Sequence, residues 1–214
     1  MVGMDTKSLR GGRLIVFEGI DGSGKTTQLE LARKGLVEQG WPLSTSRNLG
    51  GTPIGEKLRG VIKSPLPRPE MANLYISAAI QEALIEAIST ERNQGKLVLM
   101  DRGPISLAAY EIYGGGLDDE TTWRHVDDGM ARLKPDLVLI YRSDVPTALD
   151  RIKHAGQADY FESKSADYFE RVAEGYQAAA ERYPEVSRVI DADRSIDEIH
   201  RDTMALIRQV LQPS

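Results

Sequence analysis

The 214-residue chain has no cysteine, only three phenylalanines, two tryptophans and three histidines, and an aromatic share of 6%. Without cysteine there is no disulfide, no thiolate nucleophile and no cysteine zinc site, a composition compatible with a cytoplasmic location. His125, His154 and His200 lie too far apart for metal-ligand spacing and read as surface residues. No apolar run is long enough to span a membrane. The leading segment MVGMDTKSLRGG lacks the apolar core of a secretory signal, so residues 1–12 are expected to form a flexible tail. A net charge of -5 argues against a nucleic-acid polymer as partner, because that mode needs a clustered basic face. A small anionic ligand needs only local cations. With 41% hydrophobic and 28% charged residues, the chain has the make-up of a globular protein, and its length fits one domain over residues 13–214.

Against these absences one stretch stands out, LIVFEGIDGSGKTTQ from Leu14 to Gln28. Gly19 to Thr26 fills the pattern G-x-x-x-x-G-K-[ST], with a β-rich apolar run before it and a helix-forming run after it. Glycines let successive backbone N–H groups turn toward phosphate oxygens, Lys25 reaches the β and γ oxygens, and the Thr26 hydroxyl is placed to ligate Mg²⁺. The residues expected around ATP are Gly19, Ile20, Asp21, Gly22, Ser23, Gly24, Lys25, Thr26 and Thr27, with the dipole of the following helix adding positive potential.

The pattern along the chain predicts strands at 13–18, 43–47, 97–102, 136–141 and 186–191. Helices are expected over 26–38, from Pro53 with Thr52 as its cap, and over 70–92, 104–113, 119–133, 145–153, 165–183 and 195–211. Lys63 to Pro69, rich in proline, reads as a loop. Strands alternating with helices specify an α/β, three-layer P-loop NTPase fold with a five-stranded parallel sheet and right-handed crossovers. Because ligands bind at the carboxyl ends of such strands, Asp101 and Arg102 are expected beside the phosphate loop.

The segments FEGIDGSGKTTQ, RNLGGTPIGEKLR, MDRGPISLAAYE, PDLVLIYRSDVPTALDRI, DYFE, YFERVAEGY and VIDADRSIDEIH, in that order, resemble the thymidylate kinase family of nucleoside monophosphate kinases. The resemblance implies transfer of the ATP γ-phosphoryl group to a nucleoside monophosphate such as dTMP, with Mg²⁺ held by Thr26 and Asp101. It also implies a homodimer and a lid at about residues 152–165. On the acceptor side it assigns Arg47 and Arg102 to the phosphate, Asp21 to the sugar, Tyr75 to stacking on the base, and Ser106 to the base-reading region. Tyr110 would pack where a ribose 2′-hydroxyl would lie. For Tyr75 and Tyr110, ordinary core packing is the alternative, since aromatics at helical spacing are usually core.

The chain departs from the family pattern at several positions. Asn48 stands where an acid is common, Ala79 where a base-reading arginine is common, and Leu107 where a polar residue is common. Ser23 replaces a phosphate-loop arginine, and the lid segment has Tyr160 in place of an arginine, leaving Arg151, Lys153 and Lys164 as its cations. Arg151 is the candidate catalytic cation beside Lys25, Arg102 and Asp21; the alternative is a helix-end residue complementing the dipole. Two competing functions remain at this level. One is a nucleotide-binding protein with weak or altered transfer, and the other is a P-loop switch acting on a partner.

Overall fold

The structure, a computed structural model, describes residues 11–64, 66–67, 69–154 and 164–212. Five strands form a single parallel sheet: β1 (Arg13–Glu18), β2 (Leu43–Arg47), β3 (Leu97–Asp101), β4 (Leu137–Arg142) and β5 (Ser187–Asp191). Their order is β2-β3-β1-β4-β5, with the first strand at the centre. The central strands are apolar nearly throughout because both sheet faces are covered. Along β1, Leu14 and Val16 face one core with Val98, Met100 and Phe169, while Ile15 and Phe17 face the other with Leu36, Leu99 and Ile207.

Eight α-helices and one π-helix connect and cover the strands among the described residues. The α-helices are α1 (Lys25–Glu38), α2 (Pro53–Ile62), α3 (Glu70–Asn93), α4 (Ile105–Leu107), α5 (Asp119–Leu133), α6 (Val145–His154), α7 (Ala166–Arg182) and α8 (Ile196–Leu211). The predicted elements are present with ends shifted by one residue or so. Asp136 lies just before β4, its amide donating to the Leu14 carbonyl at 2.9 Å. The one change of type lies after Pro104. Only Ile105–Leu107 is α-helical, and Ala108–Gly114 continues as a π-helix rather than as the regular helix expected there. Two glycines let this wider coil pack closely. A Cβ at Gly175 of α7 would lie 2.7 Å from the Ala109 Cα, and one at Gly114 would meet Tyr168 at 2.8 Å.

Side chains close several helix starts. Thr52, Asp118, Ser165 and Ser195 cap α2, α5, α7 and α8 by accepting backbone N–H groups, and Ser195 with Glu198 completes a capping box. No side chain caps α1, and its first turn holds no acid. Its leading N–H groups are therefore left for a ligand.

Candidate active site

The sheet register assembles the site. Phe17 pairs with Asp101 across β1 and β3, and Arg47 pairs with Asp101 across β2 and β3, so the residues after these strands emerge together. Between β1 and α1 the chain turns through Gly19, Gly22 and Gly24, all at positive φ. A Cβ at Gly22 would lie 2.1 Å from the Ala148 carbonyl oxygen of α6, so only glycine fits there. Lys25 is 7% exposed, and burial followed by the neighbouring Arg102 charge lowers its pKa to about 8, with Asp21 at 3.8 Å opposing that shift. Of the residues expected around ATP, Ile20 sends its side chain into the core, leaving its backbone for the loop, and Thr27 is exposed. Buried Ser23 Oγ has no partner.

Thr26 Oγ1 donates to Asp101 Oδ2 at 3.2 Å, while Asp101 Oδ1 is buried without a partner. A hydroxyl and a carboxylate with a free buried oxygen, next to a phosphate loop, suit a hard divalent cation whose other ligands are water and phosphate. Among the described residues no group of three or more His, Asp or Glu could by itself hold a metal ion.

Opposite the loop stands Arg102, held in left-handed backbone geometry at φ 62, which costs a non-glycine residue about 1 kcal/mol or more. Its amide donates to the Phe17 carbonyl. One guanidinium nitrogen, Nη1, donates to the Tyr176 hydroxyl at 2.6 Å and the Gly19 carbonyl at 3.0 Å. The other, Nη2, donates to Asp21 Oδ1 at 2.8 Å and the Tyr110 hydroxyl at 2.9 Å. Tyr110 donates in turn to Asp21 Oδ2, and Arg102 also lies over its ring. Burial pushes the Asp21 pKa up, but Arg102, Lys25 and Tyr110 outweigh it and hold the carboxyl below its usual range.

Some expected site residues join this cluster and others stand outside it. Ser106 is buried, with its hydroxyl on Glu18 at 2.5 Å. Arg47 lies at the end of β2 in a two-point ion pair with Glu56, whose Oε1 also accepts the Gly51 amide. Asn48, at the position of the missing acid, instead ties its amide to the Gly103 carbonyl at 3.0 Å. Tyr75 is 63% exposed, which overturns the core-packing alternative for it, and Ala79 one turn later is also exposed. Leu107 belongs to the core. Arg151 reaches the Gly22 and Ala192 carbonyls at 3.4 and 3.1 Å, bracing the phosphate loop against the β5–α8 connection. Most of the expected lid, including Tyr160, lies outside the described residues, as do residues 1–10 of the expected tail 1–12; Gly12 is buried, its amide donating to the Arg92 carbonyl at 2.9 Å. His154 is exposed, and His125 and His200 are half-buried.

Two residues were not anticipated. Glu18, the last residue of β1, is fully buried, and Tyr176 of α7 touches both Glu18 and Arg102. The available signal was an acid closing an otherwise apolar strand just ahead of the glycine loop.

The sheet order, the phosphate loop after the central strand and the Arg102–Asp21 cluster beside it define a P-loop protein of the phosphotransferase class. Comparison with known proteins narrows that class. A family model described as thymidylate kinase matches residues 17–203. A thymidylate kinase of Pelotomaculum thermopropionicum is 37% identical over 204 residues, covering 94% of each chain. One of Cupriavidus metallidurans is 38% identical over 191 residues, covering 88% of this chain and 94% of its own. The crystal structure of thymidylate kinase from Ehrlichia chaffeensis superposes with a TM-score of 0.71 at 26% identity, covering 92% of this chain and 99% of that one. The chain belongs to the thymidylate kinase family.

Proposed function

We propose that the protein transfers the γ-phosphoryl group of ATP to dTMP, giving ADP and dTDP. The observation that carries this reading is the meeting of two half-sites at the carboxyl end of the central strands: Lys25, Thr26 and Asp101 for the donor, and Arg102 with Asp21 for the acceptor. Transfer of this kind needs no covalent nucleophile; it needs in-line placement and neutralisation of charge on the moving group. The loop amides and the α1 N-terminus bind the donor phosphates, and Lys25 lies along the β and γ oxygens. Arg102 offers its planar fork to the acceptor phosphate, and Asp21 receives the acceptor sugar. Arg47 exchanges part of its Glu56 pairing for the acceptor phosphate. Tyr75 stacks on the base, Ser106 and Tyr110 bound the pocket, and Arg151 steadies the loop beside the transferring group.

Thr26 and Asp101 would hold Mg²⁺, which when bound supplies positive charge to the phosphate oxygens. The same reading makes the protein cytoplasmic and a homodimer; no described helix is long and apolar enough to cross a membrane. Light scattering showing a concentration-independent monomer would refute the dimer. The family match does not favour a nucleotide-binding protein with weak transfer.

The decisive test is coupled ADP release with each common nucleoside monophosphate. dTMP is expected to be the best acceptor, and the absence of acceptor-dependent ADP release from all of them would overturn the proposal.

A further inference from the structure

We propose that Glu18 is a positioning residue for the phosphoryl acceptor: through Tyr176 and Ser106 it fixes the orientation of the Arg102 guanidinium, a role that rests on the transfer reaction proposed above. Glu18 Oε1 accepts the Gly103 amide at 2.7 Å, immediately after Arg102 in the chain. Its Oε2 accepts the Ser106 hydroxyl at 2.5 Å and the Tyr176 hydroxyl at 3.2 Å. The Tyr176 oxygen then receives Arg102 Nη1 at 2.6 Å, with Ser106 Oγ at 3.5 Å. Every hydrogen-bond partner of Glu18 lies on the segment after β3, which carries the acceptor arginine, or on α7, whose Tyr176 accepts from that arginine.

The chemistry explains why the residue is an acid. A carboxylate only accepts hydrogen bonds, so the Ser106 proton turns toward it at 2.5 Å, and the Tyr176 proton then lies between Glu18 Oε2 at 3.2 Å and Ser106 Oγ at 2.8 Å. With its proton on that side, the Tyr176 oxygen presents its lone pairs to Arg102. A side chain able to donate at Oε2 would reverse one of these hydroxyls and set a proton against the guanidinium. Fold stability does not account for the charge. Burial pushes the Glu18 pKa up to about 7 against the pull of Ser106, Arg102, Gly103 and Tyr176, so the ionised form is held at a cost that an uncharged amide of the same shape would avoid. The other charged groups of the cluster are Asp21 and Lys25 on the phosphate loop. Asp21 and Tyr110 hold Nη2 as Glu18, through Tyr176, holds Nη1. Each arm of the arginine fork is thus aimed by its own carboxylate.

The test uses the full chain with Glu18→Gln and Tyr176→Phe, each alone and in an Arg102→Lys background. Each substitution in the Arg102 protein should lower kcat/KM for dTMP on the order of tenfold to hundredfold, because small misplacement of an aligning group costs about that much. Affinity for a non-hydrolysable ATP analogue should not change. In the Arg102→Lys background neither substitution should add to the loss, since groups acting as one unit are not additive. Equal proportional losses in both backgrounds, or a matching loss of ATP-analogue affinity, would overturn the role.

A second readout does not need turnover. In ¹⁵N-arginine spectra, hindered rotation of the Arg102 guanidinium should be seen in the unsubstituted protein and should quicken in both variants. If no nucleoside monophosphate is phosphorylated and the Arg102 signal still changes, the transfer reaction fails and the positioning role stands. An unchanged signal overturns the role whatever the turnover. Tyr176→Phe keeps the ring and the Glu18 charge, so it carries the test if Glu18→Gln does not fold.

Discussion

The two ends of the sheet treat charge in opposite ways. At the amino end, Arg92 reaches across from α3 to the Leu133 carbonyl at 2.7 Å, the Lys134 carbonyl at 3.2 Å and Asp136 Oδ2 at 3.2 Å. Asp136 also accepts the Leu14 amide and pairs with Arg13 at 3.4 Å. There the arginine closes the carbonyl end of α5, whose last turn ends on left-handed Lys134 at φ 46, and the carboxylate ties the start of β1 to the chain before β4. At the carboxyl end, Arg102 sits in left-handed geometry, Glu18 holds an unfavourable charge, and Asp101 Oδ1 and Ser23 Oγ have no partner. An unpartnered serine hydroxyl and a left-handed residue, Ser187 and Lys134, occur at the amino end too. What sets the carboxyl end apart is its unmet charge capacity: a free buried carboxylate oxygen and a desolvated acid beside the phosphate loop, where a ligand can supply the missing partners.

The sharpest way to break this contrast is Arg102→Ala. It should reduce kcat/KM for dTMP on the order of a thousandfold while affinity for an ATP analogue survives, as steady-state kinetics with calorimetry would show. Equal loss of ATP affinity would contradict an acceptor role.

The next effect is on stability and pH. Glu18 titrates at about 7 when folded against an ordinary value of 4.5, so between these limits the folded protein binds a proton that the unfolded chain has released. This group's contribution is complete below pH 4.5 and is lost as pH rises through 7. Asp21 runs the other way: its lowered pKa adds stability above 3.8 that is lost as pH falls. Denaturant unfolding of Glu18→Gln against the parent should therefore shift in favour of the variant from pH 4.5 to 7, by up to about 3 kcal/mol, and flatten above it. A gap that does not change with pH would mean that Glu18 is not the buried charge described here.

At the amino end, Arg92→Ala should cost about 2 kcal/mol in urea unfolding, through unpaired carbonyls and a half-buried carboxylate, with kcat and KM of the folded protein unchanged. Loss of turnover without loss of stability would erase the distinction between the ends. The smallest effect should come from Arg151→Ala. As a brace on the Gly22 and Ala192 carbonyls it should cost about tenfold in turnover. A loss of 10³ or more would make it the transition-state cation that the chain otherwise lacks in the phosphate loop.

How readable the molecule was from its residues depends on how far apart the interacting groups lie. Strand β1, the phosphate loop and the Thr52–Pro53 helix start are local: an apolar run, glycines that permit positive φ, and a cap followed by proline need no distant partner. Arg47 shows the limit. The family resemblance assigns it to the acceptor phosphate, but its present partner is Glu56 of α2, nine residues away around a glycine turn. The π-helix at Ala108–Gly114 was also hidden, because a helical pattern does not reveal that close packing against Gly175 widens the coil.

Sequence alone determined the element order, the phosphate cradle and the family, since each rests on contiguous residues whose conformational preferences are their own. The tertiary structure decided the acceptor side. Only the β1–β3 register sets Glu18 beside Gly103, and only the packing of α7 brings Tyr176, 158 residues on from Glu18, between Glu18 and Arg102. Burial, and with it the pKa of a carboxyl group, belongs to the assembled neighbourhood rather than to the residue.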